Sequence, residues 1–176
     1  QMLLIKDSIV KARNYNKLKP QIKRGGYFEF DDYTPRDLEA ILRVINREIP
    51  LIIRVNRARD MLRMIRFSSE YDIEVIFAGA KEAWRIAEEI ALASIPVILD
   101  PMDNIPNSFD SIAARMDNAT ILNESGVKLL ITSQDTHNSY LSRQGAGNAV
   151  AYGLSEDEAL RALTINVATA FGLSDT

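Results

Sequence analysis

The stretch from Val127 to Tyr140 reads VKLLITSQDTHNSY. Its first six residues, VKLLIT, form an apolar run that predicts a buried strand. The polar turn that follows holds Asp135 and the only histidine of the chain, His137. In α/β proteins the chemistry lies in loops after the carboxyl ends of parallel strands. We therefore expect a candidate site in this turn.

Strand-and-helix units repeat on the amino-terminal side of this stretch. The apolar runs predict strands at 50–55, 73–78, 96–99 and 127–132, and helices at 57–71, 81–93 and 111–124 between them. Helices are also expected at 3–19, ended by Pro20, and after the helix-start pair Thr34 and Pro35. The last part of the chain predicts a helix near 138–152, then a capping box at Ser155 and Glu158 that starts a further helix, and a last helix at 164–171.

Short strands that alternate with helices predict a parallel sheet joined by right-handed crossovers. The strands show little alternation of apolar and polar residues, which is typical of strands buried on both faces. Four units do not close a barrel, since closure normally takes eight. The pattern alone therefore allows a small open α/β sheet or half of a larger barrel. At 176 residues we expect one domain, 1–176.

Composition excludes several classes of protein. The net charge of −3 and pI near 5.3 favour neither nucleic acid nor an anionic membrane as a partner. The chain has no cysteine, which excludes disulfides and thiolate metal ligands. No apolar run approaches the roughly 18 residues of a membrane span. We expect a soluble protein, and the sequence leaves open whether it is cytoplasmic or exported.

Several segments together resemble the amidohydrolase superfamily, in particular its imidazolonepropionase-like and prolidase-like branch. The most specific is GLSEDEALRALTINVATAFGL at 153–173, which is similar to the helices after the last barrel strand of that family. The other matching segments are Pro50 to Ala58 with Asp60, GAKEAWRIAEEIALASIPVIL at 79–99, Pro106 with Phe109 and Asp110, and Asn123 to Ile131 followed by TSQD.

The resemblance implies that the four strands are the fifth to eighth of a TIM-like (β/α)8 barrel, followed by additional carboxyl-terminal helices. It also implies a hydrolase of carbon–nitrogen bonds other than peptide bonds, in which a divalent metal, zinc, activates water. In that family the first four strands carry further ligands. This chain has no counterpart of them, so it resembles half of an enzyme.

Carried over residue by residue, the resemblance assigns a role to Asp135 and identifies two positions, Arg54 and Ala78, where the usual ligands are absent. Asp135 matches the aspartate after the eighth strand, which binds metal and acts as general base. Arg54 stands where the fifth strand usually carries histidine, and a guanidinium has no lone pair for a metal, so Arg54 is expected to bind a carboxylate or an anionic substrate group. The position of the sixth-strand metal ligand falls near Ala78, whose side chain cannot bind a metal. His137, two residues after Asp135, is a candidate metal ligand or substrate contact.

Two hypotheses follow from the missing ligands. The chain is either part of an enzyme lineage with a small-molecule substrate, or a non-catalytic module kept for binding or assembly. Its cofactor is accordingly zinc or none. The carboxylates Asp100, Asp103 and Asp110 lie on the same side as the site and are equally typical of turns. Unpaired outer strands predict association, either as a homodimer or with the missing amino-terminal barrel half.

Overall fold

The computed structural model describes residues 2–133 and 136–173, and for residues 2, 136 and 138 only the backbone. The helices and strands, numbered in chain order, are α1 Met2–Ile22, α2 Pro35–Ile45, β1 Leu51–Val55, α3 Ala58–Tyr71, β2 Val75–Gly79, α4 Ala87–Leu92, β3 Val97–Leu99, α5 Asn118–Glu124, β4 Leu129–Ile131, α6 Ser142–Ala151, α7 Glu156–Leu163 and α8 Ile165–Ala170. Short 3-10 turns lie at Ala83–Ile86, Phe109–Ser111 and Thr136–Leu141.

The chain divides into two compact units. One comprises residues 1–50 with 71–74, and the other residues 51–70 with 75–176. The prediction of one domain over 1–176 stays a prediction.

The smaller unit is built on helices α1 and α2. Its core is Ala12, Tyr15, Leu38 and Leu42, all buried. Helix α2 begins as predicted: the Thr34 hydroxyl accepts from the Asp37 amide, and the Asp37 carboxylate accepts from the Thr34 amide. Helix α1 does not end at Pro20 but continues to Ile22. Proline so close to the end removes one backbone donor, and the bond from the Lys23 amide to the Lys19 carbonyl still closes the turn.

The larger unit is an α/β sheet of four parallel strands in the order β1-β2-β3-β4. This arrangement confirms the predicted fold class and is consistent with half of a (β/α) barrel. Odd-numbered strand residues such as Phe77, Val97 and Ile131 are buried. The Ile131 side chain lies 3.8 Å from the position that a Cβ on Gly145 of α6 would occupy. On β4 the odd-numbered face is therefore the face that helix α6 covers.

The helix predicted at 111–124 is wrong in its first half, because α5 begins only at Asn118. Side chains engage the backbone of residues 108–115 instead. The Asn104 amide donates to the Arg115 carbonyl, and the Trp84 indole donates to the Ala113 carbonyl at 2.7 Å. Such bonds compete with the helical ladder. Similarly, α4 and α6 each begin several residues late, after 3-10 turns.

Candidate functional site

The candidate site lies at the carboxyl ends of the four strands. The register aligns Arg54 of β1 with Ala78 of β2, Ala78 with Ile98 of β3, and Ile98 with Leu130 of β4. These four residues form one row across the even-numbered face, opposite the face that α6 covers. The row contains neither imidazole nor carboxylate, the groups that bind zinc or divalent cations through nitrogen or oxygen.

Of the three predicted site residues, the structure describes His137 and Arg54 but not Asp135. Asp135 lies outside the described residues, so its role as general base and metal ligand stays a prediction. His137 falls in the 3-10 turn Thr136–Leu141, and its side chain is exposed. Arg54 is exposed at the end of β1, next to the small Ala78. The structure shows no ion pair between Arg54 and a carboxylate of the described residues.

The three loop carboxylates all have structural partners. Asp100 accepts from the Met102 amide at 3.0 Å, which is a turn contact. Asp110 pairs with Arg57 at 2.7 Å, and Asp103 pairs with Lys81 at 2.9 Å. These contacts fix the loop after β3 to the ends of β1 and β2.

Lys81 is the one functional candidate that the sequence reasoning missed. Its side chain is only 6% exposed, and its ammonium also lies 3.1 Å from the Asn107 side-chain oxygen. Lysine is rarely buried unless it is paired, which explains the two acceptors. The sequence feature that could have identified Lys81 is its position two residues after Gly79, the last residue of β2. Without knowledge of the long-range partners, an exposed lysine was the better expectation.

A tight turn places Lys81 at this end of the sheet. Gly79 has φ +84°, and a Cβ there would lie 2.6 Å from the Asn56 side-chain oxygen, closer than atoms approach without displacement. Ala80 follows with φ +47°, a conformation that costs a residue with a side chain some strain. The Ala80 carbonyl is held at 3.1 Å by the buried Asn118 side chain, which compensates that strain.

A second anchor of the loop is the Trp84 region. The Trp84 ring is flanked by the guanidinium groups of Arg85, 5.3 Å from the ring centre, and Arg115, at 4.7 Å. Arg115 also donates to Asp117 at 2.7 Å, and this hydrogen bond lowers the pKa of the Asp117 carboxyl below its ordinary value. Arg115 therefore links the Trp84 ring to Asp117, the residue before α5.

No group of three or more histidine or acidic side chains is arranged to hold a metal ion within residues 2–133 and 136–173. In the same part of the chain, no helix combines the length and the apolar character needed to cross a membrane.

The fold and the row of strand-end residues define a parallel α/β protein with a candidate site at the carboxyl edge of the sheet. No protein-family model and no curated protein matches the chain. A solved structure does match: an amidohydrolase from Thermotoga maritima is 27% identical, with a TM-score of 0.84 over 98% of this chain.

The chain spans only 45% of the length of that amidohydrolase. The match supports an amidohydrolase-related ancestry, as the resemblance predicted. The imidazolonepropionase-like or prolidase-like branch stays a prediction.

Proposed function

We propose that this chain is an amidohydrolase-related protein that is catalytically incomplete by itself. By ancestry it is a hydrolase of carbon–nitrogen bonds other than peptide bonds. The row of Arg54, Ala78, Ile98 and Leu130 carries this proposal, because none of the four side chains can bind a divalent metal. A hydrolase of this kind needs metal ligands at the ends of these strands.

Elemental analysis tests the proposal. The chain is expressed with zinc and purified without chelator, and metal per chain is compared with that of the Arg54→His variant. We expect no zinc above background in the parent. The variant should gain zinc if Asp135 and His137 face the same space, because it restores an imidazole to the strand end.

About one zinc per chain in the parent, lost on replacing Asp135 with Asn or His137 with Ala, would contradict the proposal. Such a result would show that the polar turn has rebuilt a site, and hydrolysis of a panel of amides would follow. Background zinc with slow amide hydrolysis that Asp135→Asn abolishes would contradict it as well.

A second candidate function, a binding or assembly module, is favoured by the exposed outer strand β1. The Val55 carbonyl accepts from the Ala80 amide, so the backbone groups of Val55 face β2. Successive residues of a strand point their backbone N–H and C=O groups to opposite sides, so the groups of Ile52 and Arg54 point away from β2. In the described sheet β1 has one strand neighbour, and the Ile52 side chain is 50% exposed. Such an edge is a template for strand pairing.

We propose that β1 pairs with a strand of a second copy or of an amino-terminal barrel half. Light scattering after size exclusion, from low to high concentration, tests self-association. Ile52→Lys should shift an associated parent toward monomer, since lysine on an edge strand opposes pairing. Leu160→Lys on α7, at a side chain 61% exposed, is the matched control. A parent that stays monomeric at high concentration would contradict the homodimer.

A further inference from the structure

Residues 27–30 of the smaller unit read YFEF and alternate in burial like a β-strand. Phe28 and Phe30 pack on the core of this unit, and their ring centres lie 4.9 Å apart and 5.6 and 5.9 Å from that of Tyr15. The tyrosine and the glutamate of the segment point away from the core and are exposed. The aromatic cluster therefore fixes the segment on the surface of the unit.

The backbone of this segment has no strand neighbour in the part of the chain that the structure describes. The Gly26 amide before it donates back to α1, and the Phe30 carbonyl at its end accepts from the Tyr33 amide at 3.0 Å. Between these bonds, the amides of residues 27–30 and the carbonyls of residues 27–29 have no hydrogen-bond partner among the described residues. Such a run of donors and acceptors is an unpaired edge to which a further strand can be added.

A groove of about 360 Å³ lies between this segment and helix α1. It is lined by Phe28 and Glu29 of the segment and by Lys11, Asn14, Lys17 and Leu18 of α1. Phe28 and Leu18 give the groove its apolar lining, and the lysines, the asparagine and the glutamate give it polar groups. An extended peptide that pairs with the segment places alternate side chains among these groups, which is how strand addition gains specificity.

Lys17 gives the groove a positive charge that the described residues do not compensate. The other four basic side chains of α1 each have a partner: Lys11 pairs with Asp31, Lys19 pairs with Glu39, and Lys6 and Arg13 lie over the Tyr71 ring. Lys17 is exposed and has neither an ion pair nor a hydrogen bond within residues 2–133 and 136–173, and this includes Glu29 of the same groove. An acidic side chain of a ligand is therefore favoured beside Lys17 and disfavoured beside Glu29.

We propose that this groove binds an extended peptide. The peptide pairs with residues 27–30 through its backbone, carries an acidic side chain for Lys17, and packs apolar side chains on Leu18 and Phe28. A second copy of the segment is the poorer occupant, because antiparallel pairing centred on Glu29 sets its two copies opposite each other, and like charges in that position are destabilising. The surface belongs to the smaller unit, so the inference goes beyond the proposed function, which concerns the sheet.

The whole chain is titrated with a blocked, fluorescently labelled pentapeptide of sequence TVEVT, and binding is followed by polarisation. The control peptide, TVKVT, replaces the glutamate with lysine. We expect saturable binding of TVEVT and binding of TVKVT about threefold weaker or more, because its lysine meets Lys17. At saturation with TVEVT, amide hydrogen exchange should slow about tenfold or more at alternate residues of 27–30, since an added strand bonds every second amide.

Two further comparisons separate the ion pair from the backbone pairing. Lys17→Gln should weaken binding of TVEVT about threefold and remove its preference over TVKVT. Lys128→Gln, which removes an exposed charge of the larger unit, is the matched control and should bind like the parent. N-methylation of the peptide's glutamate or of both its valines blocks opposite edges of the peptide, so one of the two methylated peptides should lose binding and the other keep it.

Four results would overturn the inference: no saturable binding, unchanged exchange at residues 27–30, equal affinity for TVEVT and TVKVT, or full binding of both methylated peptides. Slow exchange at the same amides that grows with chain concentration, without any peptide, would assign the edge to a second copy and would overturn the peptide assignment as well.

Discussion

The two outer strands of the sheet differ sharply in how they are covered. At β4 all three residues are buried, and the Asn166 side chain of α8 donates to the Leu129 carbonyl at 3.0 Å. At β1 no residue is fully buried, and Ile52 and Arg54 are exposed. The carboxyl-terminal helices α6, α7 and α8 all contact β4. Within residues 2–133 and 136–173, the carboxyl-terminal helices therefore cover β4, whereas β1 has one strand neighbour and exposed side chains.

Truncation of one aliphatic side chain on each outer strand tests this comparison most strongly. Leu130 and Ile52 lie on the same face, but Leu130 is 2% exposed and Ile52 is 50% exposed. Leu130→Ala should lower the free energy of unfolding by about 2–5 kcal/mol, and Ile52→Ala by less than about half as much. Chemical denaturation of both variants, at a concentration at which the parent is monomeric, measures the difference. Equal losses would mean that β1 is covered within the monomer, and the comparison would fail.

Loss of the Asn166 side chain should have an intermediate effect. Asn166→Ala leaves the Leu129 carbonyl without this donor, and we expect a cost of about 1–3 kcal/mol with faster amide hydrogen exchange in β4. Thr169→Ala is the control on the same helix, because the Thr169 hydroxyl donates to the Ile165 carbonyl of that helix. If exchange in β4 were unchanged in Asn166→Ala, packing alone would account for the covered edge.

The smallest expected effect concerns α5, the helix that leads into β4. The hydrogen bond from Arg115 lowers the pKa of Asp117 below its ordinary 3.8, so the ionised carboxyl stabilises the fold above that pH. This stabilisation is lost as pH falls through the depressed pKa. The pair is partly exposed, so Asp117→Asn should cost less than about 1 kcal/mol at pH 7. Denaturation at several pH values should show the parent and variant converging in acid, and a difference that persisted there would contradict this assignment.

The sequence was sufficient for the sheet because its strands are mostly apolar, and three of them follow Pro50, Pro96 or Gly126. All four strands lie within about two residues of their predicted positions. The covering of β4 was not predictable in the same way. It depends on contacts from α6, α7 and α8, among them the Asn166 side chain, which donates to a backbone carbonyl 37 residues earlier.

In the candidate site too, strand positions were predictable from the sequence and long-range side-chain contacts were not. The row that contains Arg54 and Ala78 follows from strand register, and both residues were identified from the sequence. The burial of Lys81 depends on the loop after β3, which contacts residues just after the ends of β1 and β2, and local composition describes that loop only as polar. Side-chain hydrogen bonds from Trp84 and Asn104 hold its backbone, and such contacts leave no periodic pattern in the sequence.

The burial of Lys81 has a practical consequence for chemical footprinting. Amine reagents modify exposed lysines such as Lys17, Lys23 and Lys128 readily, whereas Lys81 is shielded and paired with Asp103. Its ammonium becomes reactive only when the loop after β3 lifts from the sheet. The rate at which Lys81 is labelled, relative to those three lysines, therefore measures how often that loop opens.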